Sequence, residues 1–141
     1  MKPFYALLVV IALSSFAAVA QAQEDPYVGS YSCSGDPQEG CGFYGGTIYP
    51  ISNVVVTKAG DRYKFCLQYQ QGSDSQTCKK TDIVNGQAKW KGSRMLVPYE
   101  LEFFNETTVT ISGSSIKIEE KGVANGDAGV CDLTMQAICT E

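Results

Sequence analysis

Six cysteines constrain this chain more than any other feature: Cys33, Cys41, Cys66, Cys78, Cys131 and Cys139, all of them beyond residue 22. The stretch before them has a different character. Lys2 gives a positive start, Phe4 to Leu13 is an almost unbroken apolar run, and two A-x-A sites follow at Ala18-Val19-Ala20 and Ala20-Gln21-Ala22. That order is the order of a secretory signal peptide, and the apolar run is too short for a stable membrane span. The sequence therefore predicts a leader over 1–22 and a single disulfide-bonded β domain over 23–141, secreted or periplasmic, soluble and without a span in the mature chain. No cysteine stands at the cleavage site to carry a lipid anchor. In an exported chain an even cysteine count reads as a disulfide framework.

Spacing narrows the pairing. Cys66 ends the extended run from Arg62, Cys78 opens the next one, and the polar stretch Gln70 to Gln76 lies between them. A hairpin centred on Gly72 puts the two opposite each other, which predicts Cys66–Cys78. Cys131 and Cys139 enclose a segment with no Gly or Pro. Its ends lie roughly 27 Å apart as a strand and roughly 12 Å apart as a helix, so the two cannot bond to each other. Cys33 and Cys41 share their spacing, and one antiparallel register sets Cys33 against Cys139 and Cys41 against Cys131. A local Cys33–Cys41 loop around Gly35-Asp36-Pro37 is the alternative.

The rest of the chain is short alternating runs separated by turn residues. Tyr27 to Ser34 is the first, Gly35 to Gly46 is a loop, and Thr47 to Lys58 carries Val54 and Val56 on one face with a break at Pro50. Tyr63, Phe65, Leu67 and Tyr69 alternate with polar residues as a half-buried strand does. Cys78 to Val84 and Gln87 to Lys91 flank Asn85-Gly86, the strongest short hairpin signal. Arg94 to Asn105 reads as one run with Tyr99, Leu101 and Phe103 on a face. Thr107 to Ser112 and Ser115 to Lys121 form a hairpin across Gly113-Ser114, Ala124 to Gly129 is a loop, and Val130 to Thr140 closes the chain. The expected fold is all-β: a single antiparallel meander forming a small barrel or sandwich of about eight strands, stapled by disulfides.

Residue types limit the chemistry. There is no histidine, which removes Ser-His and Cys-His catalysis and histidine metal sites. The chain carries a net charge of −4; removing Lys2 with the leader leaves ten basic against 15 acidic residues, a net −5. That argues against nucleic acid and anionic membrane and fits a cationic partner. Asp36, Glu39, Phe43, Tyr44 and Tyr49 lie in or beside a Tyr- and Gly-rich stretch and are the candidate binding residues, since tyrosine gives large contact area at low entropy cost. Glu100 and Glu102 are a candidate acid/base pair, weighed against the polar outer face of a strand. Lys79, Lys80, Lys89, Lys91 and Arg94 read as a solvated basic face. Asn105-Glu106-Thr107 is a glycosylation sequon. Asp61, Asp74, Asp82 and Asp127 belong to turns and lack the spacing of a calcium loop.

Gly29-Ser30-Tyr31, at the head of a strand meander, resembles the G-x-W that opens the first strand of lipocalin-like (calycin) barrels. Tyr stands in place of Trp, and the last strand lacks the arginine that packs over that aromatic. Tyr31-Ser32-Cys33 and Trp90-Lys91-Gly92 resemble segments of the small periplasmic inhibitors of C-type lysozyme, although the inhibitory Ser-Gly-x-x-Tyr loop of that family is not found at the corresponding place. The resemblances imply a barrel. With the sparse catalytic residue types, the expectation is a non-catalytic exported protein that binds or blocks another extracytoplasmic protein, such as a basic cell-wall hydrolase, with no cofactor and no metal. The alternatives are a carrier of a small apolar ligand inside the barrel and, third, a carboxylate-dependent enzyme.

Overall fold

The two-residue period of the apolar side chains becomes a set of antiparallel strands. The computed structural model describes residues 24–35, 38–39, 47–48, 51–69, 76–96, 101–126 and 129–141. The strands are β1 (Gly29–Ser34), β2 (Gln38–Glu39), β3 (Thr47–Ile48), β4 (Ile51–Ala59), β5 (Arg62–Tyr69), β6 (Gln76–Thr81), β7 (Gln87–Leu96), β8 (Leu101–Ser112), β9 (Ser115–Gly126) and β10 (Gly129–Thr140). β2 and β3 form a small ribbon of their own; the other eight make one antiparallel sheet in the order β6-β5-β4-β1-β10-β9-β8-β7. That sheet curls into a nearly closed barrel, which decides between the barrel and the sandwich. No helix among the described residues is long and apolar enough to cross a membrane.

Turn chemistry sets one end. Gly60-Asp61, Asn85-Gly86 and Gly113-Ser114 each join two strands, with positive φ at Gly60 (71°), Asn85 (52°), Gly86 (74°) and Gly113 (60°). Glycine and asparagine adopt that conformation at least cost, and such turns match the strand twist. At the same end Asp25 accepts from the Tyr27 amide (3.0 Å) and the Tyr63 hydroxyl (2.8 Å) and pairs with Lys58 (3.4 Å), which pins the start of the described chain to the β4–β5 hairpin. The connections 35–50, 70–75, 97–100 and 127–128 all leave from the other end.

Apolar positions on alternate residues fill the interior in two groups. Tyr31, Val54, Val56, Phe65, Leu67, Val109, Ile116 and Ile118 are among those that form the larger core. Leu96, Phe103, Ala124, Leu133 and Met135 form a smaller one towards the end with the longer connections. Gly29 makes room for the Tyr31 ring: a Cβ there would come 3.1 Å from both Cε2 and Oη of that tyrosine. The Gly-x-Tyr segment thus has a packing reason, and burial, then the Glu141 carboxylate, raises the Tyr31 phenol above its ordinary value.

Two of the expected disulfides are present. Cys66 faces Cys78 across β5 and β6, and Cys33 faces Cys139 across β1 and β10. The second bond ties the first strand of the barrel to the last, so a local Cys33–Cys41 loop is excluded. Cys131 is also disulfide-bonded; the expectation that Cys41 is its partner concerns a residue outside the described ones, as does the leader over 1–22.

Three expectations are corrected. The run Arg94 to Asn105 is not one strand: Arg94 belongs to β7, Phe103 to β8, and the two strands pair with each other, Leu96 opposite Leu101. Pro98, which cannot donate to a ladder, was the available signal. Ala124 to Gly126 and Gly129 extend β9 and β10 instead of forming a loop. The supposed loop Gly35 to Gly46 contributes Gln38–Glu39 to the β2–β3 ribbon.

The fold departs most from expectation at β6 and β7. Val84 and Gln87 exchange both backbone hydrogen bonds (2.8 and 3.0 Å) around Asn85-Gly86, as the hairpin signal requires. The ladder then stops, and β6 and β7 are the two terminal strands of the sheet. The barrel is closed at its first and last strands and open beside the Asn85-Gly86 turn.

Candidate functional site

The open seam leads to a polar layer between the two apolar cores. Glu120 of β9 and Asn105 and Thr107 of β8 are the buried polar side chains among the described residues. Glu120 stands opposite Thr107 and Met135. Arg94, reaching in from β7, holds the Glu120 carboxylate in a two-pronged pair, Nη2–Oε2 3.0 Å and Nε–Oε1 3.3 Å. The Arg94 and Glu120 side chains are only 10% and 2% exposed. The Arg94 guanidinium lies 3.7 Å from the centroid of the Tyr69 ring, a cation–π arrangement. Tyr69 donates its hydroxyl to Glu120 Oε1 (3.1 Å), and the Tyr69 hydroxyl oxygen lies 3.2 Å from Thr77 Oγ1 on β6. Burial, then the negative charge of Glu120, pushes the Tyr69 phenol far above its usual range. Thr107 donates to Asn105 Oδ1 at 3.1 Å.

These contacts take the place of the missing ladder. Arg94 of β7 meets Tyr69 of β5, while Phe65 of β5 and Trp90 of β7 pack with ring centroids 5.5 Å apart. Both contacts cross the seam through the interior. A cavity of about 40 Å³ remains, lined in part by Thr77, Lys79, Gly92, Arg94 and Glu120. That is room for ordered water or a group of a few atoms. Gly92 bares the β7 side of its mouth, since a Cβ there would stand 3.7 Å from Lys79 Cε. The Glu120 carboxylate is held by Arg94 and the Tyr69 hydroxyl, groups from two other strands. Among the described residues no group of three His, Cys, Asp or Glu side chains gathers that could hold a metal ion.

The candidate residues named from sequence are distributed as follows. Of the binding set, Asp36, Phe43, Tyr44 and Tyr49 lie outside the described residues, and Glu39 is placed by its backbone alone, opposite Thr47 in the ribbon. Glu102 is exposed on the outer face of β8, and Glu100 lies outside the described residues, so no carboxylate pair enters the barrel from this run. Arg94 is corrected: it is part of the interior layer and not of a solvated basic face. The sequon is turned inwards, with Asn105 9% and Thr107 2% exposed, so a glycan on Asn105 does not fit the folded barrel.

Sequence reading missed Arg94, Glu120 and the Tyr69 hydroxyl. A signal was present. Glu120 keeps phase with Ile116 and Ile118, and Asn105 and Thr107 keep phase with Phe103 and Val109. A polar residue on the apolar phase of a strand points at the core.

A second feature lies on the outer wall, near the end from which the longer connections leave. Met95, Phe104 and Val130 are 52%, 48% and 61% exposed. Phe104 stands opposite Ser93 on one side and Val123 on the other, with Met95 two residues beyond Ser93, and Val123 faces Asp132, two residues from Val130. These apolar positions step diagonally across β7, β8, β9 and β10 near one rim, with exposed Glu102 and Asn125 on the rung that joins Met95 to Val130.

Comparison with protein-family models, with characterised proteins and with solved structures finds no match to this chain.

Proposed function

We propose that this is an exported, non-catalytic binding protein that engages another extracytoplasmic protein through the rim of its barrel. The observation that carries the reading is the exposed row Met95, Phe104 and Val130. Apolar side chains gathered on an outer surface mark interaction sites more often than chance, and aromatic and methionine residues are favoured in interface cores. The row borders the end that bears the connection 35–50, where the Tyr- and Gly-rich stretch of the sequence falls. A rigid scaffold carrying its longer connections at one end suits recognition.

The net charge favours a basic partner, and a lysozyme-like cell-wall hydrolase fits the compartment that the leader and the disulfides suggest. Blocking then means covering the partner's cleft with the rim. The filled interior, with Tyr31, Phe65 and Leu67 fully buried, favours surface recognition over carriage of an apolar ligand. The test mixes the oxidised mature protein with a panel of lysozymes and other muramidases and follows lysis and complex formation. Inhibition at micromolar concentration, weakened at least tenfold by Phe104→Ser with the fold intact, is the expected result. No inhibition and no complex with any member would overturn the reading.

A further inference from the structure

The seam between β6 and β7 has two properties that belong together. The first is a pair of unpaired strand edges. β6 is bonded only to β5 and β7 only to β8. Beyond the Val84–Gln87 turn, the hydrogen bond across the seam among the described residues runs from Thr81 Oγ1 to the Lys89 carbonyl at 3.4 Å. Backbone N–H and C=O groups along an open edge are a template for another strand.

The second property is charge. Lys80 on β6 and Lys89 and Lys91 on β7 are exposed on the outer side of the seam, while Lys79, opposite the buried Phe65, stands at the cavity mouth. Lys64 of β5 stands directly opposite Lys80. Like charges in that relation destabilise a strand pair, so the arrangement has a cost within the free protein. None of the five lysines forms an ion pair with a described residue. Glu106, the cross-strand neighbour of Lys91, lies on the far side of β7 from the seam. The chain as a whole is negative, at −4, so this strip is a local concentration of positive charge against the general balance.

We propose that the β6–β7 seam binds an extended acidic segment of a partner protein, which adds as a strand along the open edge and places carboxylates beside Lys80, Lys89 and Lys91. The open edges ask for a peptide backbone, and the lysines specify its charge. Lysines also keep an open edge from pairing with another copy of the same chain, which leaves the seam available to a segment of opposite sign. The proposal concerns a different face from the rim and does not rest on the reading of a lysozyme-like partner.

The experiment titrates the oxidised mature protein with three probes, followed by calorimetry and backbone amide shifts. They are a short peptide alternating Glu and Val, the same peptide with a central Pro, and heparin. The expected result is binding of the first peptide with shifts confined to β6 and β7. Affinity should fall at least tenfold in Lys89→Glu/Lys91→Glu, at least tenfold for the Pro peptide, and strongly as salt rises to about 0.15 M. Four outcomes overturn the proposal. They are no binding, equal binding by the charge-reversed variant, equal binding by the Pro peptide, and heparin bound as tightly with the same footprint, which would assign the strip to anionic polysaccharide. Because the substituted lysines are exposed, a spectrum unchanged from the parent protein verifies the fold in each case.

Discussion

Arg94 and Glu120 meet inside the barrel, Nη2 3.0 Å from Oε2, with the guanidinium over the Tyr69 ring. They belong to β7 and β9, and Tyr69 belongs to β5, so the cluster joins the two sides of a sheet whose edge strands are not laddered together. A buried ion pair adds little net stability over apolar packing, but removing one partner leaves a charge without compensation.

Glu120→Leu should therefore destabilise the domain by about 3–5 kcal/mol, and Arg94→Met by a similar amount. The double replacement Arg94→Met/Glu120→Leu should cost clearly less than the sum of the singles, because the pair acts as a unit. Urea unfolding of the four proteins under oxidising conditions measures this. Additive losses would contradict a coupled pair.

The Tyr69 phenol sets a limit on the alkaline side. Its folded-state value is raised from an ordinary value of 10.0, first by burial and then by Glu120. A raised value means that the folded state holds the proton more tightly than the unfolded one. Its contribution is complete below 10 and is lost as pH rises beyond it, at up to about 1.4 kcal/mol per pH unit for one group. Tyr31 shifts in the same direction. Tyr69→Phe should flatten the decline in urea midpoint between about pH 9 and 11.5. An unchanged alkaline slope would contradict this account.

The two bridges should contribute unequally. Cys33–Cys139 closes a sequence separation of 106 residues and Cys66–Cys78 one of 12. In the chain-entropy model these are worth about 5 and about 3 kcal/mol, each taken as a lone crosslink. Replacing each pair by alanine and comparing unfolding midpoints should show the larger loss for Cys33/Cys139, and more so because Cys139 is fully buried. Equal losses would point to an enthalpic origin.

Two glycines in the barrel wall should respond differently to alanine. A Cβ at Gly122 would overlap the Phe104 carbonyl oxygen and lie 2.8 Å from Asn105 Cα, so β8 and β9 would have to separate. Gly122→Ala should cost about 3 kcal/mol or more. Gly92→Ala meets only the end of Lys79 at 3.7 Å and should change stability by less than about 0.5 kcal/mol. Thermal unfolding of both variants decides the matter.

By itself the sequence determined what depends on local geometry. Alternation at Tyr63, Phe65, Leu67 and Tyr69 specifies a strand and its inward face, because successive side chains leave a strand on opposite sides. Gly60, Asn85-Gly86 and Gly113 specify turns, because few residues accept positive φ. The spacing of Cys66 and Cys78 specified one cross-strand register, and that of Cys33 and Cys139 offered a second, which the structure selects over a local Cys33–Cys41 loop. The tertiary structure alone decided where the barrel stays open and which polar groups fill that gap. Asn85-Gly86 is as strong a hairpin signal as a sequence can carry, yet it does not continue into a ladder. Closing a barrel is a property of all eight strands together: twist and stagger accumulate around the sheet, and the mismatch falls at β6 and β7. Arg94 and Glu120 are 26 residues apart in the chain, and no local period links them. Only the curvature of the sheet brings them together, and with them the polar layer that holds the seam.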